Sequence, residues 1–136
     1  MSLIRILLVD DLEKWRRFVV SMLRTATSLQ VICEVSDGLD AIQKAQQLKP
    51  DLILLDIGLP RLNGMDAARQ LCSLASKPKI LFLSQESDPD VVREALQLGA
   101  GFVVKTDAGK DLLPAVEAVM GGELFLSRSL AEAQLQ

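Results

Sequence analysis

The sequence predicts an α/β fold in which five strands alternate with five helices, a (βα)5 arrangement with a parallel sheet between two helical layers. Three observations carry that expectation. Short apolar runs rich in branched residues recur along the chain, as in Ile4-Arg-Ile-Leu-Leu-Val9 and Leu52-Ile-Leu-Leu55. Between them, apolar residues recur at helical spacing. Pro, Gly and Asn-Gly punctuation separates the two kinds of segment. Strands that alternate with helices join in parallel through right-handed crossovers, which gives a three-layer sandwich.

Each element has its own signal. The first strand, 4–9, stops at Asp10-Asp11, and Trp15, Phe18, Val19, Met22 and Leu23 then predict an inward-facing helix over 13–27. The second strand, 30–35, ends in Ser36-Asp37-Gly38, a turn that also caps a helix carrying Ala41, Ile42, Ala45 and Leu48. Lys49-Pro50 stops that helix. The third strand, 52–55, is apolar throughout, so it is expected to be buried on both faces.

After Asp56, a loop with Gly58, Pro60 and Asn63-Gly64 leads to a helix marked by Met65, Ala68, Leu71 and Cys72. The fourth strand, 79–83, is followed by Ser84, and Asp88-Pro89 reads as a helix cap and first turn. Val91, Val92, Ala95 and Leu96 face inward on that helix, and Gly99 ends it. A short strand, 102–104, gives way to Lys105. The last helix carries Leu112, Leu113, Val116, Val119 and Met120. Proline deep inside a helix costs about 3 kcal/mol, so Pro114 predicts a regular helix only from Asp111. Residues 1–122 are expected to form one domain, and 123–136 a C-terminal tail or the start of a linker.

Composition narrows the function. With 49% apolar and 24% charged residues, the 136-residue chain is globular rather than disordered. Its net charge of −3 and lack of a basic block make the chain alone a poor nucleic-acid binder. Its apolar runs are too short to span a membrane and it shows no leader, so a cytoplasmic protein is expected. Cys33 and Cys72 sit in apolar patterns and are expected to be buried, reduced thiols. The chain has no histidine, which excludes a Ser-His-Asp site and a histidine-based zinc site. It also means that a phosphohistidine donor would have to come from another protein.

In a parallel sheet the C-terminal strand ends share one edge, and ligands bind there where the chain order reverses. For five units the leading strand order is the flavodoxin-like 2-1-3-4-5, with the reversal between strands one and three. That order brings Asp10, Asp11 and Asp56 together, with Ser84 and Lys105 on neighbouring strands. Three clustered carboxylates call for a cation, and an oxygen-only donor set suits Mg²⁺ or Mn²⁺. Lys105 adds a point charge and Ser84 a hydroxyl. The set fits phosphoryl transfer to a carboxylate, with Asp56 as nucleophile. Taken singly, each residue has a plainer reading: Asp37 and Asp51 are expected to be turn or cap residues, and Asp10-Asp11 could simply cap the first helix.

The combination of Asp10-Asp11, Asp56-Ile-Gly-Leu-Pro60, Asn63-Gly64, Ser84 and Phe102-Val-Val-Lys105 resembles a two-component response-regulator receiver domain over 4–121. The resemblance implies that Asp56 accepts phosphate from a sensor histidine kinase. It implies that Asp11, Asp56 and the Gly58 backbone carbonyl hold Mg²⁺, with Asp10 helping directly or through water. It makes Lys105 a phosphoryl contact and Ser84 and Phe102 a switch pair. In that scheme Ser84 moves, Phe102 turns inward, and the face of helix four, strand five and helix five changes to pair two receivers.

The stretches Gly99-Ala-Gly-Phe-Val-Val-Lys-Thr-Asp-Ala108 and Gly121-Gly-Glu-Leu-Phe-Leu-Ser127 are similar to receivers of the LuxR-type helix-turn-helix (nitrate/nitrogen-fixation regulator) subfamily. That likeness implies transcription control through a DNA-binding domain outside this chain. Gly58, Glu86 and Thr106 depart from the commoner family pattern. Other readings are a pseudo-receiver acting by contacts alone, a flavodoxin-type cofactor carrier and an aspartyl phosphatase. The acidic run after strand one disfavours the carrier. Gly58 stands where the phosphatase needs a second aspartate.

Overall fold

Six parallel strands form one sheet in the computed structural model, which describes residues 3–134, in the order β2-β1-β3-β4-β5-β6. The strands are β1 (Ile4–Val9), β2 (Leu29–Val35), β3 (Leu52–Leu55), β4 (Lys79–Ser84), β5 (Gly101–Val104) and β6 (Phe125–Leu126). The helices are α1 (Glu13–Leu23), α2 (Gly38–Leu48), α3 (Gly64–Leu71), α4 (Pro89–Leu98), α5 (Ala108–Met120) and α6 (Arg128–Gln134). The expected flavodoxin-like order is present, extended by one strand.

Alternation along the strands builds two cores. Leu7, Val9, Ile53, Leu55, Phe82 and Phe102 face the layer of α2, α3 and α4. Ile6, Leu8, Leu52, Leu54, Leu81 and Val103 face α1 and α5. All four residues of β3 are fully buried, as a strand covered on both faces requires. The register then places the polar ends. Val9 pairs with Leu55, so the next residues, Asp10 and Asp56, lie side by side. Ser84 pairs with Val104, which brings Lys105 up beside it.

Several local expectations give way to packing. Helix α1 ends at Leu23 rather than 27; Thr25 and Ala26 turn back through backbone bonds to Met22 and Leu23. Helix α5 begins at Ala108, not Asp111, and holds Pro114 in its interior. Ala108, Leu112 and Ala115 are fully buried, and a 3-10 turn over Lys105–Asp107 feeds directly into the helix. Pro114 and Lys110 are exposed, so the helical bond that Pro114 cannot make is lost on the solvent side of α5 rather than in the core. Phe18, expected inside, is 43% exposed and lies beside Trp15. The thiols are free, but Cys33 is only half-buried and Cys72 is exposed at the end of α3, where its thiol donates to the Leu98 carbonyl. Gly99 ends α4 in extended rather than left-handed backbone; a Cβ there would lie 2.8 Å from the Phe82 ring.

The stretch expected as a tail packs on the domain as far as it is described. β6 pairs with β5, the Ser127 N–H donates to the Phe102 carbonyl, and Leu130 joins the buried cluster that holds Phe102 and Val104. Residues 135–136 of that stretch lie outside the described residues. Among the described residues no helix is long and apolar enough to cross a membrane.

Candidate functional site

Strand ends, a loop and two turns meet at an open cleft of about 310 Å³ at the C-terminal edge of the sheet. Asp56 and Ser84 come to it from β3 and β4, and Lys105 from the turn after β5. Asp11 and Gly58 line it as well. Asp10 lies beneath, 1% exposed. One carboxylate oxygen from each of Asp10, Asp11 and Asp56 can lie within 4.8 Å of the others.

The Lys105 ammonium binds this group together. Its Nζ is 2.7 Å from Asp10 Oδ2 and 3.4 Å from Asp56 Oδ2, and all three side chains are more than nine-tenths buried. Backbone donors hold the remaining carboxylate oxygens: the Leu12 N–H donates to Asp10 Oδ1 at 2.9 Å, and the Ile57 N–H to Asp56 Oδ1 at 2.8 Å. Burial drives the Asp10 pKa above its ordinary value. The hydrogen bonds from Lys105 and Leu12 pull it down less than burial pushes it up, and the neighbouring Asp56 charge adds to the rise.

Two buried carboxylates and a third at the rim, sharing one ammonium, still lack positive charge. A hard divalent cation meets that need with oxygen donors alone. The open cleft leaves room for its waters and for a phosphoryl group. The chemistry of the donor set therefore fits the expected metal.

Ser84 is 2% exposed, and its Oγ accepts the Glu86 N–H at 3.2 Å, which leaves the hydroxyl proton to donate into the cleft. Glu86 lines the cleft, but its carboxylate accepts the Ser87 and Asp88 N–H groups at the start of α4. A Cβ on Gly58 would meet nothing within 4 Å, so packing does not demand glycine there. Phe102 does not join the cleft. It is fully buried two residues before Val104 and stacks on Phe82, with ring centroids 5.9 Å apart. Its ring points inward in this structure. The β5 edge is not bare, because β6 pairs with it.

Asp37 caps α2 by accepting the Asp40 N–H, and Asp51 accepts the Arg5 N–H at the far edge; both are structural, as expected. Asp10 does more than cap, since Leu12, not Asp10, stands at the α1 N-cap position.

Sequence reasoning missed three supports of the site. Arg16 donates to the Asp10 carbonyl at 2.6 Å and pairs with Glu34, which ties α1 to β1 and β2. Gly64 lets the loop close under the acceptor, since a Cβ there would stand 1.9 Å from the Asp56 carbonyl oxygen. Trp15, read as a core residue, lies with its ring 5.1 Å from Lys105 Nζ. The Asn63-Gly64 pair was a visible signal for a close turn. Helical spacing hid the other two.

The family model for the response regulator receiver domain matches residues 6–117. The transcriptional regulatory protein LiaR of Bacillus subtilis (strain 168) is 34% identical over 130 residues, which cover 95% of this chain and 62% of LiaR. The signal receiver domain of the putative response regulator NarL from Mycobacterium tuberculosis is 30% identical, with a TM-score of 0.84 over 90% of this chain and 100% of that one. A LuxR-family two-component response regulator from Aurantimonas sp. SI85-9A1 shares the fold at a TM-score of 0.90, covering 99% of this chain and 100% of that one at 24% identity. This chain spans less than two thirds of the curated relatives' own length.

Proposed function

The chain belongs to the response regulator receiver domain family, and from that premise we propose that Asp56 is the phosphoacceptor of its signalling switch. The domain signals rather than turning over a metabolite. The observation that carries the assignment is the position of Asp56 Oδ2, in the cleft and within reach of the Lys105 ammonium at 3.4 Å. The donor is a phosphohistidine of a sensor kinase, since this chain has no histidine of its own. An Asp56 oxygen bonds to phosphorus as the bond from phosphorus to the donor nitrogen breaks.

Lys105 and the Ser84 hydroxyl donate to the phosphoryl oxygens, and the buried surroundings strengthen both contacts. Asp10, Asp11, Asp56 and the Gly58 carbonyl would hold Mg²⁺, which when bound offsets the charge developing on the phosphoryl group.

The new group adds about −1.5 to −2 charge at Asp56. Lys105 opens the turn that also contains Asp107, and the Asp107 carboxylate accepts both the Ser129 N–H and the Ser129 hydroxyl. A shift of Lys105 toward phosphate is therefore passed to β6 and α6, which adjoin the output face of α4, β5 and α5. Ser84 and Phe102 are the switch pair of that face: Ser84 moves toward the phosphoryl oxygens, and the inward position of Phe102 is the one that phosphate favours. The output is a contact between two receivers, passed to transcription by a DNA-binding region beyond this chain, in the cytoplasm. LiaR's name as a transcriptional regulatory protein supports that reading.

Intact mass after incubation with a small phosphodonor and Mg²⁺ tests the proposal. The expected result is addition of one phosphoryl group, lost with Asp56→Asn and on chelation of the metal. Full labelling of Asp56→Asn would overturn it.

A further inference from the structure

We propose that Trp15 is a positioning residue for Lys105, holding the ammonium over the acceptor when the carboxylates are engaged elsewhere. The inference rests on the phosphoacceptor reading above. It starts from an uneven set of contacts. Lys105 Nζ has three close neighbours: Asp10 at 2.7 Å, Asp56 at 3.4 Å and the Trp15 ring at 5.1 Å. Two of these are also the residues expected to hold the metal and the phosphoryl group. An Asp10 oxygen cannot serve the cation and Lys105 equally. As the carboxylates are drawn to other partners, Lys105 loses most of its counter-charge while staying buried.

The indole face is the neighbour that no metal competes for. A desolvated ammonium over tryptophan gains more from the ring than an exposed one does, so Trp15 counts for most when the carboxylates count for least. That differential gives the ring an effect on binding and rate, since equal stabilisation of both states would move neither.

Trp15 packs at the edge of the core beneath α1 and also reaches the site. It sits in the first turn of α1, close behind Asp10 and Asp11, and is only half-buried. Phe18, one helical turn on, supports the ring with centroids 5.1 Å apart. The indole Nε1 is buried with no hydrogen-bond partner among the described residues, which is costly for a residue whose only task is to fill space. A leucine would fill this edge of the α1 layer without that cost.

The test is a thermodynamic cycle on Mg²⁺ binding, measured by calorimetry on the full chain with wild type, Trp15→Leu, Lys105→Met and the double variant. Trp15→Leu leaves Lys105 dependent on Asp10, so it should weaken Mg²⁺ binding about fivefold when Lys105 is present. In the Lys105→Met background the same change should have no effect. Trp15→Phe keeps an aromatic face and should fall between wild type and Trp15→Leu. The initial rate of phosphoryl labelling should follow the same order.

A second readout needs no Trp15 variant. Trp15 is the one tryptophan of the chain, so its fluorescence should change on Mg²⁺ addition in wild type and stay constant in Lys105→Met. Equal weakening by Trp15→Leu with and without Lys105, or a fluorescence change that persists in Lys105→Met, would overturn the proposal. Failure of wild type to label at Asp56 would instead reject the phosphoacceptor reading.

Discussion

Two groups of aspartates flank Lys105, and the fold treats them in opposite ways. Asp10 and Asp56 are buried, each with one backbone N–H, and share a single ammonium between them. Asp107 and Asp111 face the C-terminal segment. Asp107 accepts the N–H and hydroxyl of Ser129, and Asp111 accepts the N–H of Arg128 at the start of α6. The pKa values follow. Burial raises Asp10, and the hydrogen bonds from Ser129 lower Asp107. A carboxylate given enough donors becomes a structural anchor. Carboxylates buried side by side around one ammonium remain in need of positive charge, and that need is the physical content of the metal and phosphoryl site.

Substitutions can break this contrast. The largest effect is expected from Gly64→Ala, whose Cβ would overlap the Asp56 carbonyl oxygen. Thermal or denaturant unfolding should show a loss of about 3 kcal/mol, together with reduced labelling. On the anchor side, Ser127→Ala leaves the buried Val104 N–H at the end of β5 without its acceptor. It should cost about 1–3 kcal/mol, visible in unfolding midpoints, with Mg²⁺ affinity unchanged.

The next effect has the opposite sign. Asp10→Asn removes a carboxylate that burial disfavours, so it should raise the unfolding midpoint at neutral pH while weakening Mg²⁺ binding in calorimetry.

The pH dependence sharpens the same contrast. The folded pKa of Asp10 lies above its ordinary value of 3.8, so the folded state binds the extra proton. Stability from this group is present below 3.8 and is lost as pH rises through the folded pKa. The pKa of Asp107 is lowered, so its contribution is present above 3.8 and is lost as pH falls through the folded value. Unfolding midpoints of Asp10→Asn and Asp107→Asn, followed against pH, should therefore diverge from wild type in opposite directions. The smallest effect is expected from Gly58→Met. There is open space at that Cβ, so stability should not change, while the added bulk at the cleft mouth slows loss of phosphate by a few-fold in a time course of intact mass.

The sequence displays the sheet and its reactive edge because both depend on short-range rules. Apolar runs gave the five strands, and the strand ends gave Asp10, Asp11, Asp56, Ser84 and Lys105. What it hid depends on long-range packing. Pro114 argued for a late start to α5, but burial of Ala108 and the turn after Lys105 start it early. β6 is two residues long, too short for any periodic signal, and exists because β5 offers an edge. Trp15 has the spacing of a core residue, and only the tertiary structure puts its ring beside Lys105. Phe102 was legible as part of a strand, and only the tertiary structure shows it stacked on Phe82.

The central claim is that the buried aspartates sharing Lys105, and not those bonded to the C-terminal segment, form the reactive site. The most direct measurement is to label the chain with a small phosphodonor and Mg²⁺, trap the acyl phosphate by reduction, and map the modified peptide by mass spectrometry. The account predicts one modified residue, Asp56. Modification at Asp107 or Asp111, or labelling that persists at full extent in Asp56→Asn, would contradict it.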